Sequence, residues 1–424
     1  MLQLNKQQLA AVNTEEKRVY VNAGAGTGKT TVIMERIKKL TAEKRATPKE
    51  ILVLAFNVDV IEKMQSKQKN NHINIKTFHK FAASLVNKYT KHKFEYATYD
   101  KDPRVFDLIL KQIKQELKIS AKNTDIKEMI SICRENPSNK KLYNNEMLLI
   151  YKRFIDYLHK NHIYDYPRFI NRACGLLEQE YIKHNIQQRY KYIFVDESQD
   201  ISEKMFKMIK LMTGYNNHLF MVGDEDQQIL EWNGIKNNKV EKLYKSYPEL
   251  VIYPLEISFR LPQEVAKIAN NLIKHDDKRI DKMLISGNNK KGLVEIKSFH
   301  SLDEEKKWCI DKINSLINNG ATKTDIAVLA RQDRIINQKI KKTGVWCSTI
   351  HKAKGLEFEH VILLGVEKGI FSGKNIREER RVLFEGITRT KNSLFVTYGD
   401  HITRTFDNQD IEVCKSPFID EFYK

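Results

Sequence analysis

RVYVNAGAGTGKTTVIMERIKKL, residues Arg18–Leu40, falls into three pieces: an apolar strand, a glycine-rich turn and an amphipathic helix. Ile33, Ile37 and Leu40 recur at the helical interval and share one face. Between strand and helix lies AGAGTGKT, Ala23–Thr30. Its small residues let backbone N–H groups curl around a phosphate at a helix N-terminus. Lys29 is placed to reach β- and γ-phosphates, and the Thr30 hydroxyl can ligate Mg²⁺. Ala23 stands where the generic pattern has glycine. Ala23, Gly24, Ala25, Gly26, Thr27, Gly28, Lys29, Thr30 and the adjoining Thr31 thus form a candidate nucleotide site, with ATP and Mg²⁺ as the expected cofactors.

Working outward, EILVLAF, YKYIFVDE and NHLFMVGD are further apolar strands, each running into polar residues. Strands alternating with helices predict a parallel sheet covered on both faces, with ligands at the carboxyl ends of the strands. A phosphate loop needs a carboxylate on a neighbouring strand end, and YIFVDESQD supplies one. Asp196 would hold Mg²⁺ through water, and Glu197 could orient or deprotonate the attacking water. The next strand ends MVGDEDQQILEWNG, which sets Gln227 to sense a γ-phosphate and offers the flat ring of Trp232. The chemistry so far is that of an ATPase.

From about 86 to 186 the pattern changes to amphipathic helices with no convincing strand, the mark of a helical domain inserted into the first α/β unit. The expected boundaries are 1–85 with 187–250 for the first unit, 86–186 for the insertion and 251–424 for a second α/β unit. In that second unit GLVEIKSF, DIAVLAR, HVILLGV and SLFVTY read as strands.

The 424 residues suit two or three domains, and 17 Gly with 8 Pro leave little room for long linkers. Net charge is +19, which suits a polyanionic partner. The insertion carries 19 basic against 13 acidic side chains, so the excess is spread rather than gathered into one patch. Five widely separated cysteines without CxxC spacing argue against a structural zinc, an iron–sulfur cluster or a disulfide framework and fit a reducing compartment. The N-terminus lacks the charged and apolar regions of a signal peptide, and no apolar run approaches a membrane span. The expected location is the cytoplasm, with no membrane partner.

Taken together, these motifs resemble the UvrD/Rep/PcrA family of superfamily 1 DNA helicases, in family order from Leu4 to about Thr397. LNKQQLAAV is similar to the adenine-reading motif, with Gln8 as its glutamine; AFNVDVIEKM and KTFHKFA resemble DNA-contacting motifs and offer Phe56, Thr77 and His79. ISFRLP resembles the motif that places Arg260 near the γ-phosphate and Phe259 under adenine. STIHKAKGLEFEHVILLG is close to the fifth motif, implying Thr349 and His351 on DNA and Glu357 near the nucleotide. EERRVLFEGITRTKNSLFVTY resembles the sixth, with Arg389 as a second arginine on the γ-phosphate. The resemblance implies two tandem RecA-like domains with ATP between them, and single-stranded DNA lying across both on aromatics such as Phe56 and Trp232. It implies 3′→5′ stepping and action on single-stranded DNA and single-strand/duplex junctions. A second reading is a DNA-stimulated ATPase that serves a protein partner in a repair or phage-defence complex without unwinding by itself.

The chain departs from the family pattern at four positions. The arginine after the phosphate-loop threonine is Thr31, and the lysine of the Phe56 motif is Asp59. The aromatic two residues before Trp232 is Leu230, and the arginine after it is Asn233. A larger departure is the stretch AVLARQDRIINQKIKKTGVWCST, Ala327–Thr349. The family inserts a large, mostly helical subdomain there, but Gln332–Gly344 leaves room for only a short crossover.

Overall fold

The computed structural model describes residues 3–56, 58–66, 73–91, 93–96, 103–135, 140, 143–229, 239–277, 279–371, 375–406 and 409–423. Its first unit is a six-stranded, wholly parallel sheet, in the spatial order Asn74–Thr77, Ile51–Ala55, Tyr192–Val195, His218–Gly223, Arg18–Ala23, Val251–Leu255. Side chains alternate between its faces. Val19 and Val21 pack with Ile33, Ile37 and Leu40 of the helix Lys29–Ala42, while Tyr20 joins Phe78, Phe81 and Phe169 on the opposite face. The nucleotide loop therefore rests on a strand and a helix fixed by burial on both sides.

Two strands of this sheet carry no clear signal in the sequence, and both lie at its edges. Asn74–Thr77 is buried only at every second residue, and Val251–Leu255 is largely half-exposed and contains Pro254. Edge strands need no continuous apolar run and tolerate proline, so their signal is faint. Because Val251–Leu255 pairs with Arg18–Ala23, the first sheet extends beyond the expected boundary at 250.

A separate hydrophobic cluster joins Ile109, Leu110, Ile126, Ile130, Ile150 and Phe154, from the helices Pro103–Leu117, Asn123–Glu135 and Asn145–Lys160. The helix Tyr166–Leu177 does not share it: Phe169, Ile170 and Ala173 belong to the core under the first sheet. Helical periodicity identifies an apolar face but not which core receives it, so the expected limit at 186 reaches past the helical cluster. The two-residue strands Glu95–Tyr96 and Ile163–Tyr164 pair beside it, in a region expected to be free of strands.

The second unit is a five-stranded parallel sheet in the order Leu293–Phe299, Thr390–Gly399, Phe358–Leu364, Ile326–Ala330, Trp346–Thr349. The last two strands are joined by the 3₁₀ turn Asp333–Ile335 and the four-residue helix Gln338–Lys341. Ile335, Ile336 and Ile340 are buried there, so the whole crossing serves to return the chain along the sheet. An antiparallel hairpin, Ile402–Phe406 with Gln409–Lys415, completes the unit.

The units are clasped by the segment that comes after the helix Gln263–Ile273. Lys282 is buried and pairs with Asp224 at 2.8 Å and Asp226 at 2.9 Å, and it donates to Asn22 Oδ1 at 3.1 Å. Arg279 adds two hydrogen bonds to Asp226, at 3.0 and 2.9 Å. Burial would push the Asp226 carboxyl up, but Lys282 and Arg279 hold it down to about 2. Next along the segment, Leu284 lies so close to the phosphate loop that a Cβ on Gly24 would stand 2.2 Å from its Cδ2.

Candidate functional site

A cleft of about 580 Å³ opens at the carboxyl ends of the first sheet, where the second unit closes over it. One wall is the loop Ala23–Thr30. Gly26 (φ +73°) and Gly28 (φ +86°) adopt left-handed backbone, and each is also crowded by a neighbour. A Cβ on Gly26 would meet Arg260 Cβ at 2.6 Å, and one on Gly28 would meet Gln8 Nε2 at 2.8 Å. Gly24 N–H donates to Leu255 O at 2.9 Å, and Thr27 Oγ1 donates to Gly24 O at 2.9 Å, which tightens the turn. Ala23 and Ala25 are fully buried beneath it. Gln8 is positioned by its own helix start, where Asn5 and Gln8 form a reciprocal cap, and its Nε2 donates to Thr27 O at 3.0 Å.

The acidic floor comes from the end of Tyr192–Val195. Asp196 is fully buried and accepts from Thr30 Oγ1 at 3.1 Å. Burial and the adjacent Glu197 push its carboxyl up to about 7, against the opposing pull of Lys29. Glu197 itself has left-handed backbone (φ +48°), a conformation uncommon outside glycine that turns its side chain into the cleft. Burial would raise its carboxyl, but Lys29, Lys354, a 2.6 Å hydrogen bond from Gln199 and Arg389 outweigh that and hold it below the usual range. It therefore stays an anion at neutral pH. Lys29 Nζ lies 3.9 Å from Glu197 and donates to Gln227 Oε1 at 3.3 Å.

The opposite wall belongs to the second unit. Phe259 N–H donates to Gly26 O at 2.9 Å, and its ring is half-exposed beside the loop. Arg260 pairs with Glu357 at 2.9 Å and donates to Thr388 O at 3.0 Å. Burial and the nearby Arg389 lower its guanidinium to about 10, still charged at neutral pH. Arg389 is buried, donating to Leu356 O at 3.0 Å and Glu385 O at 3.2 Å. Gln227 joins the walls, since its Oε1 faces Lys29 and its Nε2 donates to Thr388 Oγ1 at 3.2 Å. Thr31 also lines the cleft.

The candidate DNA residues among the described ones lie at or just after strand ends. Phe56 comes directly after Ile51–Ala55 and is half-buried. Thr77 caps the helix Phe78–Tyr89, accepting from Lys80 N at 3.1 Å. His79 is half-buried with its ring 4.4 Å from that of Tyr166, and burial lowers its imidazole to about 4. Thr349 caps the turn Ile350–Ala353, and His351 is half-buried with its imidazole lowered by burial and Arg331. Trp232 lies outside the described residues, as do Leu230 and Asn233.

Family models match most of the chain: the UvrD/REP helicase N-terminal domain over residues 4–248, and the UvrD-like helicase C-terminal domain over 253–343 and 336–401. The chain belongs to the UvrD/REP helicase family. A probable DNA helicase II homolog of Mycoplasma capricolum is 30% identical over 353 residues, 78% of this chain and 49% of that protein. A probable DNA helicase of Mycoplasma pneumoniae is 26% identical over 440 residues, 93% of this chain and 83% of that protein. The ATP-dependent DNA helicase PcrA of Bacillus subtilis is 26% identical over 371 residues, 81% of this chain and 49% of PcrA. The chain spans about half the length of several such relatives. As in other UvrD-like proteins, the two parallel sheets are tandem RecA-like folds.

Lys354 lines the UvrD-like cleft and has no role assigned from the sequence. Lys354 crosses from the second unit to pair with Asp200 at 2.6 Å and donates to Gln227 O at 3.2 Å. Both Lys354 and Asp200 sit inside recognisable motifs, but their pairing joins positions 154 residues apart, and spacing along the chain carries no trace of that. Among the described residues no helix is long and apolar enough to cross a membrane.

Proposed function

We propose that this chain is an ATP-driven motor that steps 3′→5′ along single-stranded DNA and opens single-strand/duplex junctions. The observation that carries the reading is the bridge through Gln227, which touches Lys29 on one wall and Thr388 on the other. A change at the phosphate is thereby felt by both units.

In this reading Lys29 holds the β- and γ-phosphates, with loop N–H groups around them. Thr30 and Asp196 suit a divalent cation: they are oxygen donors in contact, and the Asp196 carboxyl is pushed up by burial and by the adjacent Glu197 anion, a place that a cation would relieve. Thr30 and Asp196 would hold Mg²⁺ there, and its charge would offset that of the phosphates. Glu197, kept anionic, accepts the proton of the attacking water. Arg260 and Arg389 stabilise charge on the transferring phosphoryl, a contribution on the order of 10³–10⁵ in rate. Gln8 and Phe259 hold the base. Because the arginines sit on the second unit and Lys29 on the first, hydrolysis is tied to the approach of the two units. Phe56, Thr77, His79, Thr349, His351 and Trp232 carry the DNA, and the helical cluster of 103–160 is an inserted domain.

A second reading has its own support: an ATPase gated by DNA that needs a partner to unwind. The crossing Asp333–Lys341 is minimal, and the C-terminal family model matches in two pieces that meet there. On this view the chain lacks a subdomain through which larger relatives hold duplex. Steady-state ATPase with and without oligo-dT, and then unwinding of duplexes with 3′ or 5′ tails, separates the readings. Hydrolysis stimulated by DNA with unwinding from the 3′ tail supports the motor, and stimulation without strand separation supports the gated ATPase. Absence of hydrolysis under both conditions removes both.

A further inference from the structure

Several cations that line the cleft from the second unit have an acidic partner within hydrogen-bond reach, Lys391 with Glu357 at 2.9 Å among them. Arg260 is bonded to Glu357, and Lys354 to Asp200. Arg389 is different. Its N–H groups go to the carbonyls of Leu356 and Glu385 and to the Thr388 hydroxyl, and its carboxylate neighbour Glu385 approaches Nη2 only at 3.5 Å. Glu385 sits on the last turn of the helix Ile376–Ile387, lines the cleft and is 1% exposed. Among the described residues, neither of its carboxyl oxygens has a hydrogen-bond partner.

Burying a carboxylate without hydrogen bonds is among the costliest arrangements a protein can hold. Here it persists at a place surrounded by positive charge. Glu385 acts on Arg260 and on Lys354 as well as on Arg389, and so stands among the cations that would meet a phosphate. A second anion brought to the same place repels Glu385, and the repulsion is strong where water is excluded. Such an anion must draw Arg389 away from Glu385 to settle.

We propose that Glu385 is a resident counter-anion for Arg389, displaced in charge by the γ-phosphate, and that it sets how strongly the cleft distinguishes a nucleoside triphosphate from a diphosphate. Glu385 is thus a positioning residue that acts through Arg389. The diphosphate ends short of Arg389 and does not compete with Glu385. The triphosphate does, and part of its binding energy goes into the exchange.

The inference rests on the ATPase reading. It is tested by titrating the full chain, with Mg²⁺, against a fluorescent non-hydrolysable ATP analogue and against fluorescent ADP. In Glu385→Gln, the analogue should bind roughly 10-fold more tightly while ADP changes less than about twofold. KM for ATP should fall without loss of kcat. Glu385→Met fills a similar volume with no polar atom and should shift the ratio in the same direction, while Glu385→Asp should keep the wild-type ratio. Both neutral variants should still fold, but should melt below the wild-type temperature without nucleotide, because buried Arg389 then lacks its counter-anion. An unchanged ratio, or an equal gain for both nucleotides, overturns the proposal. Failure of the wild-type chain to bind either nucleotide would instead strike at the ATPase reading.

Discussion

Two corners of the molecule share a sequence pattern and a place in the fold, yet they continue differently. Thr77-Phe78-His79 closes the edge strand Asn74–Thr77 of the first sheet, and Thr349-Ile350-His351 closes the edge strand Trp346–Thr349 of the second. In both, the threonine ends the strand and caps the next turn of chain, accepting from Lys80 N at 3.1 Å and from Lys352 N at 3.4 Å. The first corner then runs into the 12-residue helix Phe78–Tyr89, whose buried Phe78, Phe81 and Leu85 tie it to its own sheet. The second makes one tight turn, Ile350–Ala353, and delivers Lys354 to Asp200 and the Gln227 carbonyl. Only the second has a short covalent path from a candidate DNA contact to the cleft. The first is suited to hold, the second to hold and report.

The largest effect should leave both corners untouched. Glu197→Gln removes the base but neither corner, so turnover should fall by roughly 10²–10⁴ while ATP and oligo-dT affinities stay near wild type. Substantial residual hydrolysis would displace Glu197 from that role and leave the cleft without its assigned chemistry.

Lys354→Met cuts the path from the second corner. Oligo-dT should then stimulate hydrolysis about 10-fold less than in the wild type, a coupling on the order of 1–2 kcal/mol. If stimulation survives with Asp200 deprived of that lysine, the two corners are functionally alike and the comparison collapses.

The histidines sharpen it further. His79→Ala and His351→Ala should each weaken oligo-dT binding several-fold, by filter binding or anisotropy, but only His351→Ala should also blunt stimulation at saturating DNA. With its imidazole lowered to about 4, His79 is neutral from about pH 6 to 8, so its contribution to affinity should be flat over that range. A titration step near the ordinary histidine value that vanishes in His79→Ala would contradict the burial of that ring.

The smallest effect concerns the caps. Thr77→Ala should cost ~1 kcal/mol in a denaturant melt, because it unravels the start of a long buried helix. Thr349→Ala, capping a single turn through a longer contact, should cost less. The reverse order would mean that the second corner is the more firmly anchored of the two.

The sequence is most informative where function depends on neighbours along the chain. The loop Ala23–Thr30, the acids Asp196 and Glu197 and the strands around them are legible because strand, turn and helix succeed one another directly. Gln8, Arg260 and Arg389 need family resemblance to be noticed, since nothing adjacent to them announces a phosphate. The edge strands Asn74–Thr77 and Val251–Leu255 stay hidden because half-exposed strands carry mixed patterns. The helix Tyr166–Leu177 reads as part of the insertion, although it packs under the first sheet, because an apolar face does not name its partner. Lys354–Asp200 and Arg389–Glu385 are invisible for different reasons. The first pair is 154 residues apart, whereas the second lies within one helical turn and reads as an ordinary surface i,i+4 pair until burial gives it meaning.

The clasp at Lys282 bears on how the molecule comes apart. Residues 279–284 belong to the second unit by chain order, but they fill the first unit's surface and neutralise Asp224 and Asp226. Withdrawing Lys282 and Arg279 together would strand two carboxylates in the interior, a penalty of several kcal/mol and a large share of the stability of a typical domain. The two sheets are therefore unlike beads on a string, which melt one at a time. Heated, they should lose structure in a single cooperative transition. A fragment cut near residue 256 would keep every strand of the first sheet and still be unstable alone.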